Sequence, residues 1–394
     1  MVVSSTVMLA LIGLAVDVGY LELLQTRMQT AADAAAMGGV QEFRMNGSNG
    51  VTAAAKRDAA ANGFTDGVNS VTVTVNRPPA TGYSTSDPTA VEVIVTQHAG
   101  TLFLNALGLR SATVKARAVA KQPSASTCMY ALDPAASGAL SVSGGVGITS
   151  ACGIVVDSSS ATAFSASGGA TLTAPSISVT GNYSISGGAS VSPTPAAHAA
   201  AQSDPLAYIS APAVGACNFT GFSVSGGATK TISPGVYCGG ISISGGSTVT
   251  FNSGTYVMLG GGLSFSGGAT ITGDGVTVYN TYDGTHPYGS IQMSGGATVT
   301  LSAPTTGSLA GMLFFQDRSV AGGAASSFSG GASLNLTGAL YFPTTAVSYS
   351  GGTKAPYTIL VAKSISFSGG VKINNDYSSL ANGSPVKGSA AISE

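Results

Sequence analysis

Three groups of side chains in this 394-residue chain have types and spacings that could do chemistry: four cysteines, and two short segments that bring Tyr, Asp, His and Arg together. Cys128, Cys152, Cys217 and Cys238 have neither CxxC spacing nor a nearby His ladder, which argues against a zinc site and a thioredoxin-like redox motif. An even count in a Ser/Thr/Gly-rich chain suits two disulfides in an oxidising compartment. Neighbour pairing, Cys128 with Cys152 and Cys217 with Cys238, is the expectation, although other connectivities are open and four buried thiols are the plainer alternative. The segment YNTYDGTHPYG carries Tyr282, Asp283, His286 and Tyr288, a set able to hold a sugar by ring stacking and hydrogen bonding. FFQDRSVAGGAASS carries Asp317 and Arg318, a dipeptide that more often tethers its own loop than binds a ligand.

Catalysis has little to build on. Glycoside hydrolysis needs two carboxyl groups roughly 5–10 Å apart. Beyond residue 122 the carboxylate side chains are Asp133, Asp157, Asp204, Asp274, Asp283, Asp317, Asp376 and Glu394, and no two lie close in sequence. A lyase would want an acidic Ca²⁺ cluster beside a basic proton acceptor, and no local group of that kind occurs. The expectation is a non-enzymatic chain with no metal and no cofactor. Its net charge of −1, without a block of Lys or Arg, also argues against a nucleic-acid partner.

What must position these residues is a repeat. Ser-Gly-Gly recurs with its serine at Ser143, Ser167, Ser186, Ser225, Ser244, Ser266, Ser294, Ser329, Ser350 and Ser368. The commonest interval is near 20 residues; the longest, 39, is close to two turns, while 28 and 35 look like turns with inserted loops. Alternation inside a period of this size predicts a β-solenoid, here an all-β right-handed parallel β-helix over 128–394, with coils of about 20 residues and the non-repetitive end as a C-terminal cap. In ISISGGSTVTF the alternation assigns Ile241, Ile243, Gly245, Ser247, Val249 and Phe251 to the core face. Gly-Gly then marks a shared bend where backbones need room, so the repeat is architectural. A phosphate loop is disfavoured because no Lys follows and no strand-to-helix switch occurs. Thr-x-Thr recurs at Thr171/Thr173, Thr229/Thr231, Thr248/Thr250, Thr270/Thr272 and Thr298/Thr300, an array that resembles ice-binding β-helical proteins. Simple wetting of a surface in which only 8% of residues are charged is the plainer account, and Lys230 interrupts the pattern.

The first third of the chain differs in charge. Residues 1–122 hold 17 charged side chains and residues 123–394 hold 14, so the density falls more than twofold at a linker expected at 123–127. MVVSSTVMLALIGLAV is uncharged over 16 residues, about 24 Å of helix against a hydrocarbon core of roughly 30 Å. Val7, Leu9, Leu11, Ile12, Leu14 and Val16 would line this membrane or filament helix, assigned to 1–45, with Asp17 its first charge. A buried soluble helix is the plainer alternative. Residues 46–122 read helix, strand, strand, helix, strand, a small α+β domain packed on the emerging helix.

LIGLAVDVGYLELLQTRMQTAADAAAMGGV, Leu11 to Val40, resembles the N-terminal signature of TadG-like proteins of the Tad (tight adherence, Flp-type) pilus system. There an apolar helix leads into an Asp-Val-Gly step and an Ala-Ala-Asp-Ala-Ala-Ala run; members usually have a longer apolar segment with basic residues before it. CMYALDPAASGALSVSGG, SPGVYCGGISISGG and TGALYFPTTAVSYSGG resemble phrases of a subgroup with Ser-Gly-Gly-rich C-terminal repeats. The resemblance implies a pilin-like envelope component whose N-terminal helix sits in the inner membrane before assembly and then meets other pilus or filament subunits. The repeat region would be periplasmic or extracellular, displayed for adhesion or filament contacts, with surface glycans among its partners. Readings from other classes are a carbohydrate-binding surface adhesin, a polysaccharide lyase or hydrolase, and an ice-binding solenoid.

Overall fold

The computed structural model describes residues 2–121, 127–329, 334–350, 355–381, 383–386 and 391–393; the side chains of 2–12, 44–46, 106, 107 and 391 lie outside that description. Most of the expected linker, 123–126, does too. The chain forms two compact units, Met1–Ser124 with Lys387–Glu394, and Ala125–Val386.

In the first unit, α1 (Val2–Asn46) and α2 (Val51–Ala61) precede β1 (Val71–Asn76), β2 (Ala90–Gly100), a 3₁₀ turn (Leu104–Leu107) and β3 (Ser111–Lys121). The Ala-rich run favours helix, and its small side chains let the helix come close to its neighbours. Met28, Ala31, Ala32, Ala35, Ala36 and Val40 form the buried stripe of α1, at three- and four-residue spacing. Gly38 continues it: a Cβ there would overlap the Asp58 carboxylate of α2. The stripe shares a core with Val73 of β1, Val91, Val93 and Val95 of β2, and Ala116 and Ala118 of β3. β2 and β3 pair antiparallel from Ala90↔Lys121 to Gly100↔Ser111. On the other edge of β3 lies the strand Ala391–Ile392, antiparallel, with Ala391 opposite Lys121. No helix among the described residues is long and apolar enough to cross a membrane.

The second unit is β throughout, and its named strands pair in parallel. Along the ladder, residues 219–232 pair with 235–251, those with 254–273, and then come 276–302, 312–337, 338–349 and 358–373. The next layer is not at the C-terminus: 358–373 pairs with 127–150, which pairs with 153–173, which pairs with 177–192. The order of the layers thus departs from the order of the repeats. Val371–Ile373, from the segment expected to close the stack, pairs instead with Ile148–Ser150. The 39-residue interval is not two turns either. It is one layer plus a connection, residues 193–218, that carries the chain from one end of the ladder to the other. Layers about 4.8 Å apart put the two ends about 45 Å from each other, and an extended segment of this length can reach about 85 Å.

Ile241, Ile243, Ser247, Val249 and Phe251 are buried, as their alternation predicts. Gly245 is exposed instead. The reason is that Gly245 and Gly246 both have positive φ, 63° and 69°, so the chain turns there rather than continuing as a strand. The turn preserves hydrogen bonding between layers: Gly246 N donates to Gly267 O at 2.8 Å and Gly268 N to Gly295 O at 2.9 Å. Between turns the core stacks aromatic rings, Tyr237 on Tyr256 and Phe328 on Tyr349, with centroids 5.9 and 5.7 Å apart.

Candidate functional site

The N-terminal half of the described part of α1 is unlike the rest of its unit. Leu14, Val16, Val18 and Tyr20 are each more than 40% exposed. Asp17 among them is fully buried, and its carboxylate accepts three backbone N–H groups, from Leu102 at 2.9 Å, Phe103 at 2.8 Å and Leu104 at 2.5 Å. One turn earlier Gly13 leaves room for Phe103: a Cβ there would sit 2.7 Å from the ring. The loop 101–109 is therefore docked on α1 by a charge and a missing side chain. Leu14, Val16 and Asp17 of the expected membrane or filament helix are placed by this; the side chains of Val7, Leu9, Leu11 and Ile12 lie outside the described residues.

The cysteines form two disulfides, Cys128–Cys152 and Cys217–Cys238, with Cα atoms 5.6 and 5.7 Å apart. Cys128–Cys152 ties the strand Thr127–Ala131 to the step between its layer and the next, and Cys217–Cys238 ties the end of the crossing connection to the layer 235–251. His286 approaches the second pair, with ligand atoms of Cys217, Cys238 and His286 all within 4.8 Å. Because the two sulfurs are bonded to each other, the group offers a metal only the imidazole.

In the loop with Tyr282, Asp283, His286 and Tyr288, polar atoms are largely used locally. Asp283 Oδ1 accepts the N–H of Thr285 at 2.8 Å and of His286 at 2.7 Å, and His286 Nδ1 lies 2.9 Å from the same oxygen. The Thr285 N–H, with the bond from His286, holds the Asp283 carboxyl at about 2. The Tyr282 hydroxyl donates to Ser319 O at 3.1 Å. Tyr288 takes a bond from Gln316 Nε2 at 3.1 Å, and burial raises its phenol.

Asp317 and Arg318 serve different neighbours. Burial works to raise the Asp317 carboxyl, but bonds from the Thr281 hydroxyl, 2.6 Å from Oδ2, and from Ser319 outweigh it, leaving the group low. Arg318 Nε donates to the Tyr341 hydroxyl at 2.6 Å and an Arg318 terminal nitrogen donates to Leu206 O at 2.8 Å. Tyr341 in turn donates to Asp204 Oδ2 at 2.5 Å. Asp204 and Leu206 belong to the crossing connection, so this network pins that connection against the ladder. Asp157 pins it again, accepting Gln202 N at 2.8 Å. Nothing in the local sequence flags a bond between residues 137 positions apart, as Asp204 and Tyr341 are.

Four of the five Thr-x-Thr pairs align in two columns, Thr229, Thr248, Thr270 and Thr298 in one and Thr231, Thr250, Thr272 and Thr300 in the other, while Thr171 and Thr173 lie apart, between Gly147 and Ser190 and between Thr149 and Ser192. Lys230 does not break them. It lies opposite buried Val249, on the inward parity of the end layer, with its amine 4.5 Å from the Phe222 ring centre.

Neither the curated proteins nor the solved structures give a match to this chain. Residues 1–42, which take in most of α1, match the family described as putative Flp pilus-assembly TadE/G-like, which supports a Tad-system, pilus-assembly-related protein.

Proposed function

We propose that this chain is a non-enzymatic Tad pilus-assembly or minor-pilin-like component of the bacterial cell envelope, anchored by α1 and displaying its parallel-strand unit for adhesion or for contacts with other filament subunits. The carrying observation is the TadE/G-like match over residues 1–42. Exposed apolar residues on the first described turns of α1 support the anchor, and two disulfides suit an oxidising compartment. Parallel pairing from layer to layer supports reading the second unit as a right-handed parallel β-helix. The catalytic and sugar-binding alternatives have less behind them, since Asp283, Asp317 and the Tyr282 hydroxyl are engaged by their own surroundings.

The test is to shear surface filaments from producing cells and probe filament, membrane and soluble fractions with an antibody to residues 128–394. Protein in the filament fraction supports a displayed subunit, and protein held in the membrane supports an assembly platform. A soluble cytoplasmic protein with four free thiols contradicts the proposal.

A second reading, ice binding, is favoured by the straight threonine columns. It predicts thermal hysteresis that Thr250→Lys with Thr272→Lys removes, and its absence in the wild type ends that reading.

A further inference from the structure

Exposed apolar side chains of the first unit gather in two places that the structure joins. One is α1 from Leu14 to Tyr20. The other is the loop 101–109, where Leu102 is 69% exposed, Phe103 52% and Leu109 59%. The Asp17 bonds and the Phe103–Gly13 contact fix the loop beside this stretch of helix.

Three features say what environment suits them. At about 100° per residue, Leu14, Val16, Val18 and Tyr20 point in widely separated directions around the helix. A protein partner would cover one stripe, whereas an apolar surface on most sides suits lipid. Second, Asp17 is the only charge between Gly13 and Leu21, and it is turned to the loop and saturated by backbone N–H groups. A carboxylate so satisfied is tolerable where water is scarce. Third, the loop itself carries no charge, but Arg110 follows it directly and Lys115 lies beyond on β3, both exposed. Exposed Glu22 lines one hollow with Lys115 and Val18, so the cation that complements an anionic headgroup layer is Arg110, at the foot of the apolar loop.

We infer that the loop 101–109 is a second membrane-contacting element, lying in the interfacial zone of an anionic bilayer beside α1 with Leu102, Phe103 and Leu109 inserted. The inference rests on the anchor reading above and adds a contact that reading does not contain. Asp17 is a positioning residue in this arrangement: it holds the loop at the level where the helix meets the membrane.

The chain has no tryptophan, so a single introduced one reports its own surroundings. Phe103→Trp, Leu102→Trp, Leu14→Trp and, as a water-exposed reference, Tyr83→Trp at a side chain 98% exposed, are made in the full chain. Each is reconstituted into phosphatidylcholine–phosphatidylglycerol vesicles with brominated acyl chains. The expected result is emission at 102, 103 and 14 blue-shifted and quenched by about twofold or more, with no quenching at 83. The pair at 102 and 103 guards against a local defect from replacing the ring that packs on Gly13. Quenching at 14 but not at 102 or 103 leaves the anchor standing and overturns the loop contact. No quenching at 14, 102 or 103 overturns the anchor and the loop contact together. Emission at 102 and 103 that is already blue-shifted without vesicles, and insensitive to brominated lipid, means that protein covers the loop and equally overturns the inference.

Discussion

Glu92 lies fully buried in β2, and its carboxylate is met from four directions: by Asn76 Nδ2 at 2.7 Å, the Thr81 hydroxyl at 2.7 Å, Ala80 N at 3.0 Å and Arg117 Nε at 2.6 Å. Three of these donors flank or belong to the β1–β2 loop, so one side chain holds that loop to the sheet. Burial by itself would raise the carboxyl; the donors outweigh it and bring it from 4.5 to about 2. A group depressed in the folded state stabilises it fully above its unfolded value, and that contribution fades as pH falls toward the folded one. The contribution is on the order of 3 kcal/mol, present above about pH 4.5 and lost toward pH 2. Glu92→Gln should therefore be destabilised at pH 7 and show less loss of stability between those limits than the wild type. Urea unfolding at a series of pH values checks this, and parallel pH curves for the two proteins would contradict it.

At the scale of elements, the Ser-Gly-Gly turn makes a sharper distinction than its repetition suggests. Gly267 and Gly268 both have positive φ, 59° and 72°. A Cβ on Gly267 would sit 3.0 Å from Gly245 N of the preceding layer, while one on Gly268 meets nothing within 4 Å. Gly268→Ala should cost about 1–2 kcal/mol for the backbone conformation alone. Gly267→Ala should cost about 2–4 kcal/mol, because two layers must also part. Equal costs in denaturant titrations would show that layer spacing does not set the requirement for glycine.

The same elements show what the sequence makes visible. Alternation around Gly245 marks strands, inward residues and the turn, since each depends on residues next to one another. The helix–helix–strand–strand order of the first unit is legible for the same reason, with Ala31 to Ala36 giving the packed stripe. Which layer lies on which is not legible. A parallel layer offers the same backbone donors and acceptors to any neighbour, so nothing in residues 127–150 names 358–373 as a partner. The role of Arg318 was hidden likewise, because Leu206 and Tyr341 reach it only once the connection crosses the ladder. Asp17 looked like the first charge after an apolar run; that it binds loop N–H groups 85 or more residues away is set by the tertiary fold.

For the whole molecule, the chain leaves the first unit at the end of β3 and comes back to the same strand, with Ala391 opposite Lys121. Residues between them are, for that unit, an insertion. A protein in which 122–390 are replaced by a short turn should keep β3 and its last neighbour joined as a hairpin and unfold cooperatively. Loss of cooperative unfolding would mean that the first unit needs the second to fold.

The reordered stack has the matching property. The second unit begins with 127–150 and its last paired strands lie in 358–373, adjacent layers in the ladder's interior. A layer added or lost at 177–192 or at 219–232 would leave the pairing of 127–150 with 358–373 unchanged. Each extra layer lengthens the route for 193–218 by about 4.8 Å, or about one and a half residues of extended chain. The crossing segment has about 40 Å of extended chain beyond the direct route, and the bonds at Gln202, Asp204 and Leu206 hold that surplus against the ladder.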